Sequence, residues 1–469
     1  MTRNLTINYG ARLDIYHEPN NYPTTYFGSP RLGLAWDAFG NGKTVVRAGG
    51  GLFVAPLPFI IPFTSTVLGG AGNQIFASVV TAPNSIPELF GAGLTERSLA
   101  TPTNPNPALT LAQLSAVGIN VVPPGPNQQN GAFFSVSPTF KSPYAIQASA
   151  SVAQELARNL SLEIGYIFYG GVHIQQIQEG NFVPDTAVPI DPFVGPFYIP
   201  KPGSTFGTPN SQIIENDETT SDGSSGYNAM TVSLTKRYGH GLQFQANYTL
   251  SKAIDNVSDF SSQSTPFRPG LLNLDRSVSD FNIKNSFVAN AVYTSPVYHS
   301  GGGLAALLYS NWIVAPVVSV RDGVPFTLLV PGIQSNGTAH TSEARPFNEG
   351  RNTGVGPGFA SWDMRISRDI PLKADSPLRL RLIAQSTNIL NHTNFTSVQN
   401  IFPNTAVTNA AGVTTSAVVA TPEGNVDLLN GPYIFRGFRP SGPAQLTDPL
   451  AFKTAAPPRQ ISFGIELAF

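Results

Sequence analysis

The chain of 469 residues contains no cysteine. Disulfide frameworks, thiolate metal sites and cysteine nucleophiles are therefore excluded. Charge is scarce as well. Asp, Glu, Lys and Arg make up 12% of the residues, about half the usual ~25%. A soluble protein of this size needs a charged skin, so a large conventional soluble enzyme is disfavoured. The net charge of −1 supplies no basic field, which argues against a nucleic-acid partner. Long uninterrupted apolar runs are missing too. The most apolar stretch, residues 54–70, carries Pro56, Pro58 and Pro62 and makes a poor transmembrane helix. Met1-Thr2-Arg3-Asn4 leads straight into a polar–apolar alternation, so no signal peptide is expected in this chain. Only three Trp and three Met are present.

What is there points to strands. Hydrophobic residues make up 41% of the chain, too many for disorder, and 30 Phe and 15 Tyr dominate the aromatics. Glycine and proline together reach about 18%, against a usual ~12%. Strict alternation recurs along the chain. Leu5, Ile7, Tyr9, Ala11, Leu13 and Ile15 share one face, against Thr6, Asn8, Gly10, Arg12 and Asp14. The same pattern returns in NLSLEIGYIFY (159–169), GLQFQANYTLS (241–251) and RQISFGIELAF (459–469). Successive strand side chains point to opposite faces, so each segment has an apolar and a polar side.

About twelve strands are expected, at roughly 3–16, 30–38, 43–54, 143–156, 159–170, 227–238, 241–254, 284–295, 305–321, 360–370, 377–390 and 459–469. Their connections alternate in length. The long ones fall at about 17–29, 55–142, 171–226, 255–283, 322–359 and 391–458. In an up-and-down order, every short turn lies at one end and every long loop at the other. Outer-membrane β-barrels sort their connections this way, with short periplasmic turns and long extracellular loops. The fold class read from the sequence is therefore all-β, an antiparallel transmembrane β-barrel of about twelve strands, with residues 1–469 forming one partial barrel domain. The place is the bacterial outer membrane, and the first partner is outer-membrane lipid.

The charges agree with this phase. Arg12, Asp14, Glu163, Asp363, Arg365, Arg379, Arg381 and Glu466 all lie opposite the apolar series of their strand, where a barrel has its wet lumen. A charge facing lipid near the midplane costs ~2–4 kcal/mol. Read conservatively, the eight form a ladder of lumen ion pairs with no role toward a substrate.

Several stretches carry a resemblance to a known family. They include SPRLGLAWDAFGNGKTVVRAGGGLFV, GYNAMTVSLTKRYGHGLQFQANYTLSKAID, GRNTGVGPGFASWDMRISRDIPL, LRLRLIAQSTNILNHTNF and the terminal RQISFGIELAF. In order and in kind these resemble the C-terminal barrel half of TonB-dependent outer-membrane receptors of the Oar-like group. The resemblance implies ligand uptake across the outer membrane, with an N-terminal plug and a TonB-contacting box that this chain lacks. A complete receptor barrel has 22 strands, so the chain resembles the last twelve: a fragment, a split gene or a mis-called start. The TonB system would then be engaged only through the missing parts. The resemblance also gives the last strand, with Phe463, Ile465, Leu467 and Phe469, the role of a C-terminal signal read by the barrel-insertion machinery. Phe469 reads equally as an interface aromatic.

Other candidates reduce to structure. GNGKT (40–44) mimics the end of a phosphate-binding loop, but Asp37 stands where that motif needs Gly and a strand follows, so a hairpin turn is expected. The six histidines have no metal-ligand spacing. Glu215, Asp217 and Glu218 read as a solvated acidic loop, and Phe133, Phe134, Phe193, Phe197, Tyr198 and Phe260 as loop packing. Pro316, inside a strand, should force a bulge. No catalytic, metal or cofactor residue is nominated and no enzyme is expected. Two functions stay open: a receptor barrel taking up an unknown ligand, and a surface structural or adhesion barrel, or a passive pore sealed by pairing of the first and last strands.

Overall fold

The computed structural model describes residues 4–17, 24–57, 131–180, 182–184, 186–187, 189, 198–200, 213–258, 270–296, 309–331, 343–345, 350–372, 378–400, 405–408, 414–421, 424–427 and 452–468. Twelve strands run consecutively through one large sheet: β1 (Leu5–Tyr16), β2 (Thr25–Asp37), β3 (Thr44–Val54), β4 (Tyr144–Ala157), β5 (Leu160–Glu179), β6 (Ile213–Gly239), β7 (Leu242–Asp255), β8 (Asn285–Thr294), β9 (Trp312–Arg321), β10 (Phe359–Pro371), β11 (Arg379–Thr387) and β12 (Gln460–Ala468). Each pairs antiparallel with the next. These are the twelve segments that alternation marks in the sequence. Among the described residues β1 pairs only with β2 and β12 only with β11, so the sheet is open. The closure that would seal a twelve-stranded pore is not formed.

The short connections are built by local chemistry. At the β2–β3 turn the Asp37 carboxylate accepts the backbone N–H groups of Gly40 at 3.0 Å and Gly42 at 2.8 Å. Both glycines have φ of 69°, a conformation that Gly adopts without a Cβ penalty. GNGKT is thus a hairpin turn. Asn159 at the β4–β5 turn and His240–Gly241 at the β6–β7 turn also have positive φ.

Four expectations need correction. The acidic run Glu215–Glu218 lies in strand β6, not in a loop, because β5 and β6 pair far beyond their neighbours, out to Glu179 opposite Asp217. The predicted loop 171–226 is correspondingly shorter. Residues 131–136, placed in a loop with Phe133 and Phe134, form a short strand parallel to the upper part of β6. Pro316 causes no bulge: the β8–β9 ladder breaks beside it and resumes in the same register, while Pro316 stays opposite Met364 on β10. The proline loses one hydrogen bond on one side, which needs no extra residue. Finally, β9 starts at Trp312 rather than 305. Phe193, Phe197, Phe260 and Phe469 lie outside the described residues.

Among the described residues the sheet has no second layer. Large apolar residues on the flat strands are exposed rather than packed: Tyr9 is 86% exposed, Phe463 82% and Ile465 75%. The buried apolar residues, such as Leu57, Phe140 and Leu328, belong to the connections at the long-loop end. A dry core between two sheets is absent among the described residues.

Candidate functional site

The register carries one polar face unbroken across all twelve strands, since residues directly opposite share a face. Arg12 opposes Ser29 on β2 and Arg31 opposes Gly51 on β3. Gly51 opposes Gln147, and two residues at a time this face reaches Ala153, which opposes Glu163. From Glu163 it runs through Ser233, Asn247, Val288, Ser319 and Ser361. On β10 it holds Asp363, Arg365 and Asp369, and it ends through Arg381 at Glu466. All eight charges nominated from the sequence therefore lie on one face.

They do not form one cluster. Near the long-loop end of β1, Arg12 Nε sits 2.6 Å from Asp14 Oδ1, and Ser29 Oγ donates to the other Asp14 oxygen at 3.1 Å. Asp363 accepts Ser361 Oγ at 2.7 Å and the Asn388 N–H at 2.8 Å, which anchors the turn after β11. Arg365 is exposed, with no ion pair among the described residues. Towards the short-turn end, Arg381 grips Asp369 with two bonds of 2.7 and 3.0 Å and reaches Glu466 at 3.6 Å, while Arg379 lies 3.6 Å from Asp369. Glu163 lines a hollow of about 370 Å³ with Lys43, Arg47 and Arg237.

Asp369 was not nominated from the sequence, although it shares the parity of Asp363 and Arg365 on the same strand; that parity was the available signal. A second missed group had none. At the long-loop end, Arg351 pairs with the buried Asp255 and donates to Ser258 Oγ at 3.1 Å. Its neighbour Asn352 donates to the Val278 carbonyl at 2.7 Å and exchanges hydrogen bonds with Thr327. Arg345 meets Asp275 at 2.8 Å, both buried. These residues tie the connection after β9 to the one after β7, and irregular connections have no periodicity to read.

The opposite face is apolar, and its polar residues sit at its ends. On β6 it runs Lys236, Leu234, Val232, Met230, Asn228; on β7 Phe244 stands opposite Lys236 and Lys252 opposite Asn228. The band between the lysines is eight residues long, about 26 Å along a strand and about 20 Å along the normal at a tilt of ~40°. Aromatics border it. Trp36, Tyr293 and Trp312 lie towards the short-turn end, Tyr26, Tyr144 and Trp362 towards the long-loop end. Arg368, an outward charge at the short-turn border like Lys236, stacks its guanidinium over Trp312 at 5.2 Å. Phe463, Ile465 and Leu467 project from this face of β12.

An antiparallel sheet with an unbroken polar face, an opposite apolar band and aromatic borders is the wall of a transmembrane β-barrel. The model of the outer membrane beta barrel domain family matches residues 22–349 and 344–422. The chain belongs to that family, which places it in the outer membrane. No curated protein matches it. Among solved structures it is similar to the outer membrane transporter YddB from Escherichia coli, at 13% identity and a TM-score of 0.46, over 88% of this chain and 41% of that one. The FrpB iron transporter from Neisseria meningitidis matches at 10% identity and a TM-score of 0.40, over 84% and 40%. The ferripyoverdine receptor of Pseudomonas aeruginosa matches at 11% and 0.41, over 89% and 35%. The chain thus spans about two fifths of the length of these structures.

Proposed function

We propose that the chain is the C-terminal barrel portion of a TonB-dependent outer-membrane receptor of the Oar-like group, and that it serves uptake of a scarce ligand without covalent chemistry. The pair of uncovered edges carries this reading. About half of the backbone N–H and C=O groups of β1 and of β12 point away from their one neighbour. In hydrocarbon each unsatisfied group costs several kcal/mol, so the sheet needs further strands, and a receptor barrel of 22 supplies ten.

In that barrel the polar face lines the lumen. Arg12, Asp14, Glu163, Asp363, Arg365, Arg379, Arg381 and Glu466 then face water, the short turns face the periplasm, and the long loops meet the ligand outside. Phe463, Ile465, Leu467 and Phe469 present the final strand to the insertion machinery, and energy coupling through TonB comes with a plug. The alternative of a passive twelve-stranded pore requires β1–β12 pairing and finds no support in the open sheet. An adhesion barrel is separated by physiology. Deleting the gene should impair growth on at least one scarce nutrient to the same degree as loss of the energy-coupling system. Normal growth on every nutrient tested, with loss of surface attachment, would favour adhesion. Recovery of the protein as a soluble, salt-extractable species would end both readings.

A further inference from the structure

Among the described residues the apolar face carries a groove with charge at its rim. Its floor is Tyr166, Met230 and Leu250 from three adjacent strands, and its volume is about 520 Å³, within the range of small-ligand sites. The wall exists because the chain swells out of the ladder between β7 and β8. Ile254 is in register with Val278 and Leu250 with Asn285, so residues 279–284 exceed what the ladder can pair. Asn282 pins this swelling by accepting the Ala253 N–H at 2.7 Å, and Ser251 pins it by donating to the Ile283 carbonyl at 2.6 Å. Tyr166 is held against the floor by its hydrogen bond of 2.5 Å to Asn228.

Two lysines line the same groove. Lys252 comes from the apolar face of β7 and Lys284 from the swelling. Both are exposed, and neither has an ion-pair partner among the described residues. Both stand at the long-loop border of the apolar band, where a cation on the lipid side costs little. An apolar floor continuous with the lipid-facing surface, capped by two free ammonium groups at the headgroup level, is complementary to one kind of molecule. It has acyl chains below and a phosphate above.

We infer that this groove binds an acylated, phosphorylated lipid of the outer leaflet, its chain lying on Met230 and Leu250 and its phosphate between Lys252 and Lys284. The inference rests on the membrane orientation proposed above and adds a specific lipid site to it. Basic residues near a membrane surface favour anionic headgroups by about fivefold each. Losing both should therefore weaken binding by about 25-fold.

The test uses the full chain extracted from outer membranes into dimyristoyl phosphatidylcholine nanodiscs doped with dimyristoyl phosphatidic acid, with bound lipids counted by native mass spectrometry. Retention of phosphatidic acid is expected, weakened about 25-fold by Lys252→Gln with Lys284→Gln together and unchanged by Lys236→Gln at the opposite border. Equal retention in the double variant, equal retention of dimyristoylglycerol, or competition by inorganic phosphate at the same concentration would each overturn the lipid site. Flotation of the protein with the bilayer separates the two readings. A protein that floats but ignores the lysines sinks only the lipid site, whereas one that does not float removes the membrane orientation as well.

Discussion

A single lysine placed on either side of the same wall should have opposite fates. Ile164 lies on the apolar face of β5, opposite Val232, midway between the levels of Lys236 and Asn228. Four residues separate it from either border, about 13 Å along the strand and about 10 Å in depth. Lys at that depth costs ~2–4 kcal/mol, a factor of about 30 to 700 in the folding equilibrium. Ser149, on the polar face of the adjacent β4, is exposed and borders an open hollow beside Gly49. Ser149→Lys should shift stability by no more than about 0.5 kcal/mol. The assay is the fraction of heat-modifiable, protease-resistant protein in outer membranes, followed by denaturant titration in liposomes. Ile164→Lys should deplete the folded band and Ser149→Lys should leave it unchanged. Equal loss in both, or a larger loss from Ser149→Lys, would refute the assignment of the two faces.

Other substitutions probe the connections and the edges. Arg351→Ala leaves the buried Asp255 carboxylate without its partner and should cost ~3–5 kcal/mol; adding Asp255→Asn should restore most of the loss, read as the melting temperature of the heat-modifiable form. Gly323→Ala would drive its Cβ into the Gly356 carbonyl oxygen, an overpacking worth about 1–3 kcal/mol, visible as faster proteolysis after β9. The chain has no cysteine of its own, so Asn8→Cys with Gly464→Cys gives a clean closure probe across the two outer strands. Oxidation should yield no disulfide within the chain, and the chain reconstituted alone should give no stable ohmic channel. A quantitative internal disulfide would mean that twelve strands close by themselves.

The strands were legible because burial on one side only leaves a period of two in the sequence, and each of the four quoted alternations became part of the sheet. The polar face was legible for the same reason. Opposite parity to Leu160 or Leu467 places Glu163 and Glu466 on that face with no knowledge of contacts. What remained hidden depends on partners distant in sequence. The upward extension of β5 and β6 is set by mutual pairing, and nothing in the acidic run 215–218 signals a strand. The Arg351–Asp255 and Arg345–Asp275 pairs join connections about 96 and 70 residues apart, and no local spacing encodes them. Pro316 misled in a different way. A proline breaks a ladder on one side only, and the register survives.

The distance between Lys236 and Lys252 has a further consequence. A belt about 20 Å tall is short against the ~30 Å hydrocarbon layer of an average bilayer, and the bacterial outer membrane is thinner than average. Every ångström of mismatch costs a fraction of a kcal/mol, summed around the perimeter. The protein is thereby matched to a thin membrane and penalised in a thick one. Lipids with tails of twelve to fourteen carbons should take it up readily, and tails of eighteen or more should resist it.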